Sequence, residues 1–405
     1  MSKRKGVTMS IKVITIQEFM EVVKDQIEME IFNTPLLVLG KTGIGKTEVL
    51  KQLAKELQIG YKEIRLINHT EVDLAGIPIP KEDSDGEMIT KWAQMGRLPK
   101  ANRDGEVGIL VLDEITSCSH AVRTTAFQLL DTSRGVGDYK LPEKWLIVSM
   151  GNGPEDGGNY QGLEQAYITR CLCFRIEPNL ESWKKWAFNN GVHPAVLSFF
   201  NLQADALWKV DIDNTEPDVY PTPRSWFQLS QQLTKRENLE RKKKNLSANS
   251  IVNIKDTIVT LYACGCVGEY YGNLFSSYYK LQSQILSFED IVKGKFTEEN
   301  LRKYSREVSY LQAYSISYGI RNLMESTKTE NGTWEQDTIE KVANCMKYLV
   351  MVGNMHLDVG IALMQDIQAS YKEFGRLVAT NVSAFRKLCP EFQEFVKKNK
   401  NVISD

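Results

Sequence analysis

Residues 40 to 47 read Gly-Lys-Thr-Gly-Ile-Gly-Lys-Thr, a spacing of glycine, lysine and threonine that can hold phosphate groups. Glycines let the backbone curl until its N–H groups point at phosphate oxygens, and a following helix N-terminus adds partial positive charge. Lys46 is placed to reach the outer phosphates, and the Thr47 hydroxyl to bind Mg²⁺. The alternative is a glycine turn without a ligand. The predicted nucleotide-binding residues are Gly40, Thr42, Gly43, Ile44, Gly45, Lys46, Thr47 and Glu48.

An apolar run from Gly108 to Leu112 ends in two carboxylates, Asp113 and Glu114. A buried strand does not end in two charges unless a cation is nearby, because burying an unpaired charge is costly. Asp113 is placed to hold Mg²⁺ through water, and Glu114 to polarise the water that attacks a γ-phosphate. The alternative is a helix-capping pair at the start of a loop. Together with the glycine-rich loop, the pair predicts Mg²⁺-dependent hydrolysis of ATP.

Two further polar residues lie next to predicted strands. Asn152 follows the apolar run Trp145–Met150, where an amide beside the phosphate loop can orient the attacking water. Gly-Asn-Gly is also a common turn, which is the alternative. Arg170 precedes the run CLCFRI, where an oligomeric ATPase would present an arginine to the γ-phosphate of the next subunit. Arg134 and Arg175 are rival candidates, and an arginine at a helix C-terminus can also serve only the helix dipole.

Arg224 lies at the start of a predicted helix, within the run PTPRSW from Pro221 to Trp226. The prolines fix where the helix begins, and a cation in its first turn is unfavourable for the helix dipole. Arg224 therefore needs an anionic partner. We expect this partner to be the γ-phosphate, reached from a helical lid folded over the nucleotide.

Up to Pro178 the sequence alternates short β-rich runs with amphipathic helical patterns, which is typical of a parallel α/β sheet. Nearly continuous apolar runs predict that helices cover both faces of the sheet. The five predicted strands are Leu36–Leu39, Tyr61–Asn68, Val107–Leu112, Trp145–Met150 and Cys171–Ile176. Helices are predicted over Lys46–Leu57 and near His120–Asp131.

After Pro178 the β signal fades. The predicted helices are Ser182–Asn190, Pro194–Gln203, Arg224–Thr234, Ile254–Leu281, Arg302–Ser326 and Ile339–Tyr371. The charged run KRENLERKKKN, Lys235–Asn245, is predicted to be a solvated loop rather than a nucleic-acid patch, because no aromatic residues interleave it. We expect a nucleotide-binding core over residues 1–178, a helical lid over 179–281 and a C-terminal helical region over 282–405.

The composition of the 405 residues, 42% hydrophobic and 25% charged, is typical of an ordinary globular chain. Lys and Arg number 50 against 51 Asp and Glu, so the net charge of -1 gives no overall basic footprint for nucleic acid. No apolar run reaches the length of a membrane span, and the N-terminal MSKRKGVTMSIKV lacks a signal-peptide apolar region. The seven cysteines lack zinc-knuckle spacing. We therefore expect reduced thiols and a cytoplasmic location.

The order of these parts resembles an AAA+ ATPase: phosphate loop, strand with Asp-Glu, strand ending in asparagine, helix ending in arginine, and a helical lid with PTPRSW. The resemblance covers about Ile31–Leu233. The run NHTEVDLAG, Asn68–Gly76, looks like the start of the helix-2 insert of the MoxR group. GVGDYKLP, Gly135–Pro142, is similarly placed to the pre-sensor hairpin of that group.

The resemblance implies a role for each matching residue. The matches are Lys46 and Thr47 in the phosphate loop, Asp113 and Glu114 in the second acidic motif, Asn152 as first sensor, Arg170 as the finger supplied in trans, and Arg224 as second sensor in cis. Asn68 stands where the family places a polar switch that restrains the catalytic glutamate, with a turn asparagine as the alternative. The sequence departs from the family beside Arg170, where Thr169 and Cys171 replace the usual Asp and Phe.

The resemblance also implies a ring, generally a hexamer, that uses ATP-driven subunit motion to remodel a protein. MoxR-type members often act with a partner that carries a von Willebrand factor A domain. Trp92 and Tyr139 are candidates to engage a substrate near the ring axis, and the alternative is that they anchor their own hairpins. We expect no membrane or nucleic-acid partner.

Two other functions compete with a protein-remodelling ATPase. A DNA-directed AAA+ motor or helicase-like subunit is supported only by the basic run RKKKN. A nucleotide-gated scaffold that barely hydrolyses ATP is opposed by the intact Glu114.

Overall fold

The computed structural model of the protein describes residues 11–94, 96–154, 156, 160–210, 218–247, 250–329 and 331–399, with the backbone alone for 366–370. The chain divides into two compact units, Met1–Asn179 and Leu180–Asp405. The first unit is built around a parallel β-sheet and the second is helical. A further division of the second unit at residues 281 and 282 stays a prediction.

The first unit alternates strands and helices. Its strands are β1 (Lys12–Ile14), β2 (Leu36–Gly40), β3 (Gly60–Arg65), β4 (Ile77–Glu82), β5 (Met88–Ala93), β6 (Gly108–Asp113), β7 (Gly135–Val136), β8 (Tyr139–Lys140), β9 (Trp145–Gly151) and β10 (Leu172–Ile176). Its helices are α1 (Ile16–Glu28), α2 (Lys46–Leu57), α3 (Glu71–Ala75), α4 (Ala101–Asp104), α5 (His120–Phe127) and α6 (Gln165–Ile168).

The main sheet has the strand order β1-β10-β2-β9-β6-β3, and all its neighbouring strands are parallel. The predicted fold class is confirmed, but the sheet has six strands where five were predicted. The additional strand is β1, at one edge. It has three residues, of which only Ile14 is buried, so it contains no apolar run from which the sequence could predict it.

The central strands are covered on both faces. Every residue of β2, β6 and β9 is buried, although successive side chains of a strand point to opposite faces. Both faces must therefore be packed against other elements, as the continuous apolar runs predicted. The carboxyl ends of β2, β9 and β6 meet at one edge of this buried sheet.

Two antiparallel hairpins extend from the first unit, β4 with β5 and β7 with β8. Tyr139 in the second hairpin is buried, and its hydroxyl donates to the carbonyl oxygen of Pro99 at 2.7 Å. Trp92 in the first hairpin is half-buried, and its backbone N–H donates to Oδ2 of Asp138 at 2.8 Å. Tyr139 is therefore an anchor of its own hairpin and is unable to engage a substrate as placed here.

The helices of the second unit pack around a large apolar cluster. They are α7 (Leu180–Asn189), α8 (Pro194–Phe199), α9 (Pro223–Lys243), α10 (Asp256–Val267), α11 (Glu269–Tyr279), α12 (Phe288–Val292), α13 (Glu298–Leu301), α14 (Arg306–Thr327), α15 (Gln336–Met355), α16 (Leu357–Ser370), α17 (Lys372–Thr380), α18 (Val382–Leu388) and α19 (Pro390–Lys398). Within the described residues, none of the helices is long and apolar enough to cross a membrane.

Each predicted helical segment overlaps a helix, although α8 ends at Phe199 and α14 begins only at Arg306. Two of the segments also contain a break. Ile254–Leu281 divides into α10 and α11 at Gly268, whose φ of 83° is left-handed and ends the first helix. Ile339–Tyr371 divides into α15 and α16 at His356, whose φ of -131° and ψ of 84° are not helical.

The predicted solvated loop at Lys235–Asn245 is wrong, because α9 continues to Lys243. Its charges pair along the helix instead of facing water alone. Arg236 contacts Glu240 at 2.9 Å, and Arg241 contacts Glu237 at 2.9 Å, both at the i,i+4 spacing that stabilises helices.

Glu237 is the centre of a buried polar cluster in this unit and is only 3% exposed. Its Oε1 lies 3.0 Å from Nε2 of His193 and accepts hydrogen bonds from the hydroxyl of Tyr279 at 2.6 Å and the amide of Gln282 at 3.0 Å. Burial alone would raise the pKa of Glu237, but the contacts with His193, Tyr279 and Gln282 outweigh it and lower that pKa to about 2. The carboxylate is therefore charged at neutral pH and fully hydrogen-bonded.

Replacing Glu237 with leucine is expected to lower the free energy of unfolding by about 3–5 kcal/mol at pH 7, because His193 and Arg241 lose a buried partner. The folded pKa lies below the unfolded value of 4.5, so the charge of Glu237 stabilises fully above pH 4.5 and progressively less towards pH 2. Urea unfolding across this pH range measures both effects. The exposed Glu298→Gln is the control, and an equal loss in both variants would contradict the prediction.

Candidate nucleotide-binding site

The glycine-rich loop joins β2 to α2, and its glycines hold conformations that other residues resist. Gly43 and Gly45 have φ values of 80° and 95°, in the left-handed region that L side chains rarely adopt. Gly40 lies where a Cβ would collide with the carbonyl oxygen of Ile176 on β10. Gly45 also precedes the first turn of α2, whose N–H groups lack intrahelical partners. This geometry fits a loop that binds phosphate oxygens with its backbone.

The other predicted residues of the loop occupy different environments. Ile44 is buried beneath the loop, whereas Thr42 and Glu48 are exposed. Glu48 lies in the first turn of α2, where its Oε1 accepts a hydrogen bond from Gln52 at 3.3 Å. Their contribution to nucleotide binding stays a prediction.

The side chain of Lys46 folds back over the loop. Its Nζ donates to the carbonyl oxygens of Gly40 at 2.5 Å and Lys41 at 3.0 Å, and it lies 3.4 Å from Oδ1 of Asn152. The ammonium group is thus held between the phosphate loop and the end of β9. A cation at this place fits an anionic ligand within the curve of the loop.

Thr47, Asp113 and Glu114 form an oxygen-rich group at the end of β6. The Thr47 hydroxyl donates to Oδ2 of Asp113 at 3.1 Å, and the N–H of Glu114 donates to Oδ1 at 2.9 Å. Burial raises the pKa of Asp113, and the nearby carboxylate of Glu114 adds to the increase. A buried carboxylate beside a hydroxyl is a donor set that suits Mg²⁺, which prefers oxygen ligands. Thr47 and Asp113 are the residues that would hold it.

Glu114 has a left-handed backbone, with φ of 60°, and a half-buried side chain. Such a conformation is uncommon for residues other than glycine and occurs often at functional sites. The left-handed conformation turns the chain sharply after the buried strand, so β6 ends at Asp113 and does not include Glu114.

Asn152 follows β9, and both its backbone and its side chain make polar contacts. Its N–H donates to Oγ1 of Thr116 at 3.0 Å, and Thr116 is wholly buried. The order β2-β9-β6 places Asn152 between the phosphate loop and the acid pair. The structure thus brings Lys46, Asn152 and Asp113 to one edge of the sheet.

Arg170 is exposed and contacts three neighbours, one of which is the carbonyl oxygen of Ala166 at 3.0 Å from a terminal nitrogen. Its Nε donates to Oδ1 of Asp131 at 2.9 Å, and its guanidinium carbon lies 4.6 Å from the ring centre of Phe127. Within the subunit Arg170 therefore makes surface contacts. Its assignment as a finger for a neighbouring subunit stays a prediction.

The two rival arginines are engaged inside the unit. Arg134 donates to the carbonyl oxygens of Glu143, at 2.8 Å, and Trp145. Burial lowers the pKa of Arg134. Arg175 pairs with Asp156 and Glu177 and is only 15% exposed. Neither guanidinium is presented at the surface as that of Arg170 is.

Arg224 and Asn68 are both exposed. Arg224 lies in the first turn of α9 in the second unit, after a capping box formed by Thr222 and Ser225. Asn68 lies beyond β3 in a 3₁₀ turn, Leu66–Asn68, and not in a strand as predicted. No hydrogen bond joins Asn68 to Glu114 among the residues that the structure describes. The sensor and switch roles of these two residues stay predictions.

Several residues of the site were missed from the sequence. Thr116 orients Asn152, yet a lone threonine after an acid pair carries no signal of this contact. Arg175, at the end of an otherwise apolar strand, was considered only as a finger. An arginine in an otherwise apolar strand, largely buried in the structure, requires an anionic partner, and this signal could have pointed towards a carboxylate such as Asp156.

The sheet order, the glycine-rich loop and the acid pair together define a P-loop nucleotide-binding domain. Residues 35–155 match the family model of the AAA domain, dynein-related subfamily. This part of the chain is therefore similar to AAA domains, and the predicted resemblance to AAA+ ATPases is confirmed. The match supports ATP hydrolysis as the activity of the domain. The finer assignment to the MoxR group stays a prediction.

Other similarities cover parts of the chain. A midasin from Giardia intestinalis is 26% identical over 166 residues, which are 39% of this chain and 3% of the length of that protein. A solved structure described as a candidate ATPase from Cytophaga hutchinsonii is 14% identical, with a TM-score of 0.28, over 58% of this chain and 77% of its own. Hsp104 in a closed state with ATPγS and casein is 15% identical, with a TM-score of 0.35, over 58% of this chain and 46% of its own. With TM-scores below 0.5, the two structural likenesses carry no argument about this protein.

Substitution with alanine is expected to separate Arg134 from Arg170. Arg134→Ala removes a half-buried donor from two backbone carbonyl groups and is expected to lower the free energy of unfolding by about 1–3 kcal/mol. Arg170→Ala removes an exposed ion pair and is expected to cost less than about 1 kcal/mol. Urea unfolding of both variants measures the difference. A larger loss for Arg170→Ala would contradict the assignment of Arg134 as the structural arginine.

Proposed function

We propose that the protein hydrolyses ATP with Mg²⁺ and that a ring of its subunits uses this hydrolysis to remodel or activate a protein partner. The observation that carries the proposal is the convergence of Lys46, Asn152 and the Asp113–Glu114 pair at one edge of the sheet. A cation, an amide, a metal-binding carboxylate and a second carboxylate are the groups that phosphoryl transfer to water requires.

Each group has one role in this proposal. Lys46 and the loop N–H groups bind the phosphates, and Thr47 and Asp113 would hold Mg²⁺, which would supply positive charge to the phosphates. Glu114 accepts a proton from the attacking water, and Asn152 orients that water. Glu114 is half-buried directly after β6, with a left-handed backbone, so this proposed base lies at the carboxyl end of the strand.

Assembly into a ring is proposed from the exposed position of Arg170. Its guanidinium lies at the surface, so it is accessible to a neighbouring subunit once it leaves Asp131. An arginine supplied by the next subunit stabilises the charge that develops during phosphoryl transfer. Arg224, on the exposed first turn of α9, is proposed to contact the γ-phosphate of its own subunit. A hexamer is the ring size that we propose.

A protein partner is favoured over DNA by two features of the surface. The β4–β5 hairpin exposes three large apolar side chains, those of Ile77, Ile79 and Met88, and such groups suit contact with a protein. Half of the six basic residues in Lys235–Asn245 are paired with glutamates of α9, namely Arg236, Arg241 and Lys243. A partner with a von Willebrand factor A domain, in the cytoplasm, is the first candidate.

Replacing Glu114 with glutamine is expected to lower ATP turnover by about 100-fold or more while ATP remains bound, because the amide cannot accept the proton of the attacking water. Turnover and bound nucleotide are measured on the same preparation. Glu106→Gln, exposed at the other end of the same strand, is the matched control. Normal turnover in Glu114→Gln would contradict the assignment of the base.

A mixture of two inactive variants is expected to regain activity. Arg170→Ala subunits keep Glu114 but lack the finger, and Glu114→Gln subunits keep Arg170 but lack the base. In a mixed ring, some sites combine an intact Glu114 with the Arg170 of a neighbour, so turnover reappears when the two are mixed. A mixture as inactive as its components, or full activity of Arg170→Ala alone, would contradict the trans role.

A further inference from the structure

A series of charged side chains, linked by ion pairs, lies at the end of the sheet beside the phosphate loop. Arg175 on β10 donates through one terminal nitrogen to Oδ1 of Asp156 at 2.6 Å and through Nε to Oε1 of Glu177 at 2.8 Å. The other oxygen of Glu177 contacts Nζ of Lys41 at 2.9 Å. The other oxygen of Asp156 accepts the backbone N–H of Gly153 at 2.5 Å. These ion pairs and the hydrogen bond thus connect the phosphate loop to Gly153, the residue after Asn152.

Strand order explains why an arginine is used at this position. Arg175 pairs with Leu39 on β2, and β9 lies on the far side of β2. Neighbouring strands are about 4.8 Å apart, so a group reaching from β10 to the segment after β9 must cross roughly 10 Å. The long arginine side chain and the Asp156 carboxylate that meets it together bridge this distance, and separate nitrogens of the guanidinium contact Asp156 and Glu177.

The contact leaves no spare room around Gly153. A Cβ at Gly153 would collide with the guanidinium of Arg175, so glycine allows the close approach. The side chain of Asp156 is fully buried, and that of Arg175 is 15% exposed. Water is therefore largely excluded from the pair, and the loop after β9 is held to β10 by a short, buried ion pair.

The contacts close into a circuit through the site itself. Lys46 donates to the carbonyl oxygen of Lys41, and the same ammonium group lies 3.4 Å from Asn152. The circuit passes through Lys46, Asn152, Gly153, Asp156, Arg175, Glu177 and Lys41. Lys46 and Asn152 face the γ-phosphate in our proposal. The circuit holds these two residues in fixed positions relative to each other.

We infer that Arg175 is a positioning residue that fixes Asn152 relative to the phosphate loop through Asp156. This inference rests on the proposed function. A buried ion pair is weak evidence for stability alone, because an apolar pair of the same volume often stabilises as well. The ion pair also links two parts of the site. Asp156 contacts the loop that follows Asn152, and Arg175 is connected to Lys41 through Glu177. Arg175 touches none of the reacting atoms in this account.

The test compares steady-state kinetics of the full chain with and without the pair. Arg175→Gln is expected to lower kcat by about 10–100-fold, because a displacement near 1 Å of a positioning group costs that order of rate. KM and the affinity for ADP are expected to change less than about threefold, since the loop glycines and Lys46 are intact. Arg175→Lys is expected to recover part of kcat. Arg97→Gln, an exposed arginine of the same unit, is the control.

A double variant separates positioning from a general structural role. If Arg175 acts through Asn152, then Asn152→Ala with Arg175→Gln has the kcat of Asn152→Ala alone, because coupled residues are not additive. Multiplicative losses, or normal kcat in Arg175→Gln, would overturn the inference. If Arg175→Gln does not fold, Glu177→Gln is the second variant, because it breaks only the connection from Arg175 to Lys41. This variant is expected to lower kcat at unchanged KM. A normal kcat in Glu177→Gln would also overturn the inference. Absence of turnover in the unmodified protein would instead contradict the proposed function.

Discussion

The ammonium group of Lys46 joins parts of the first unit that are far apart in the sequence. It donates to two carbonyl oxygens of its own loop and lies 3.4 Å from the amide oxygen of Asn152. This contact exists because β2 and β9 are neighbours, so their carboxyl ends meet. The next strand, β6, brings Asp113 to the Thr47 hydroxyl. The roles that we assign to Lys46, Asn152, Asp113 and Glu114 depend on this strand order.

Both units pair their buried charged side chains with partners of opposite charge, but we assign the two clusters different roles. In the second unit, Glu237 joins α9 to Tyr279 of α11 and to His193, the residue that caps α8. We assign this cluster to stability, because its partners lie in α9 and α11, at the cap of α8 and in the turn after α11, all within the helical unit. In the first unit, the contacts of Arg175 end at Lys41 and beside Asn152, which face the nucleotide in our proposal. We therefore assign them to positioning.

The sequence predicted the fold class, the phosphate loop and the carboxylates, because these follow from local spacing and apolar runs. The edge strand β1 escaped prediction because three residues with one buried side chain carry no periodic signal. Ion pairs between distant segments, such as Arg175 on β10 with Asp156 after β9, depend on which strands are neighbours, and local sequence patterns do not reveal that order. The charged stretch before Lys243 was wrongly predicted as a loop because its burial depends on helices α8 and α11 from elsewhere in the chain.

The central claim is that ATP is hydrolysed between subunits of an assembled ring. The most direct test is turnover per subunit measured against protein concentration, with light scattering to follow assembly, in the presence and absence of duplex DNA. The account predicts turnover that rises as the ring assembles and is indifferent to DNA. Turnover that is independent of concentration, or that DNA strongly stimulates, would contradict it and favour a monomeric P-loop ATPase or a nucleic-acid motor.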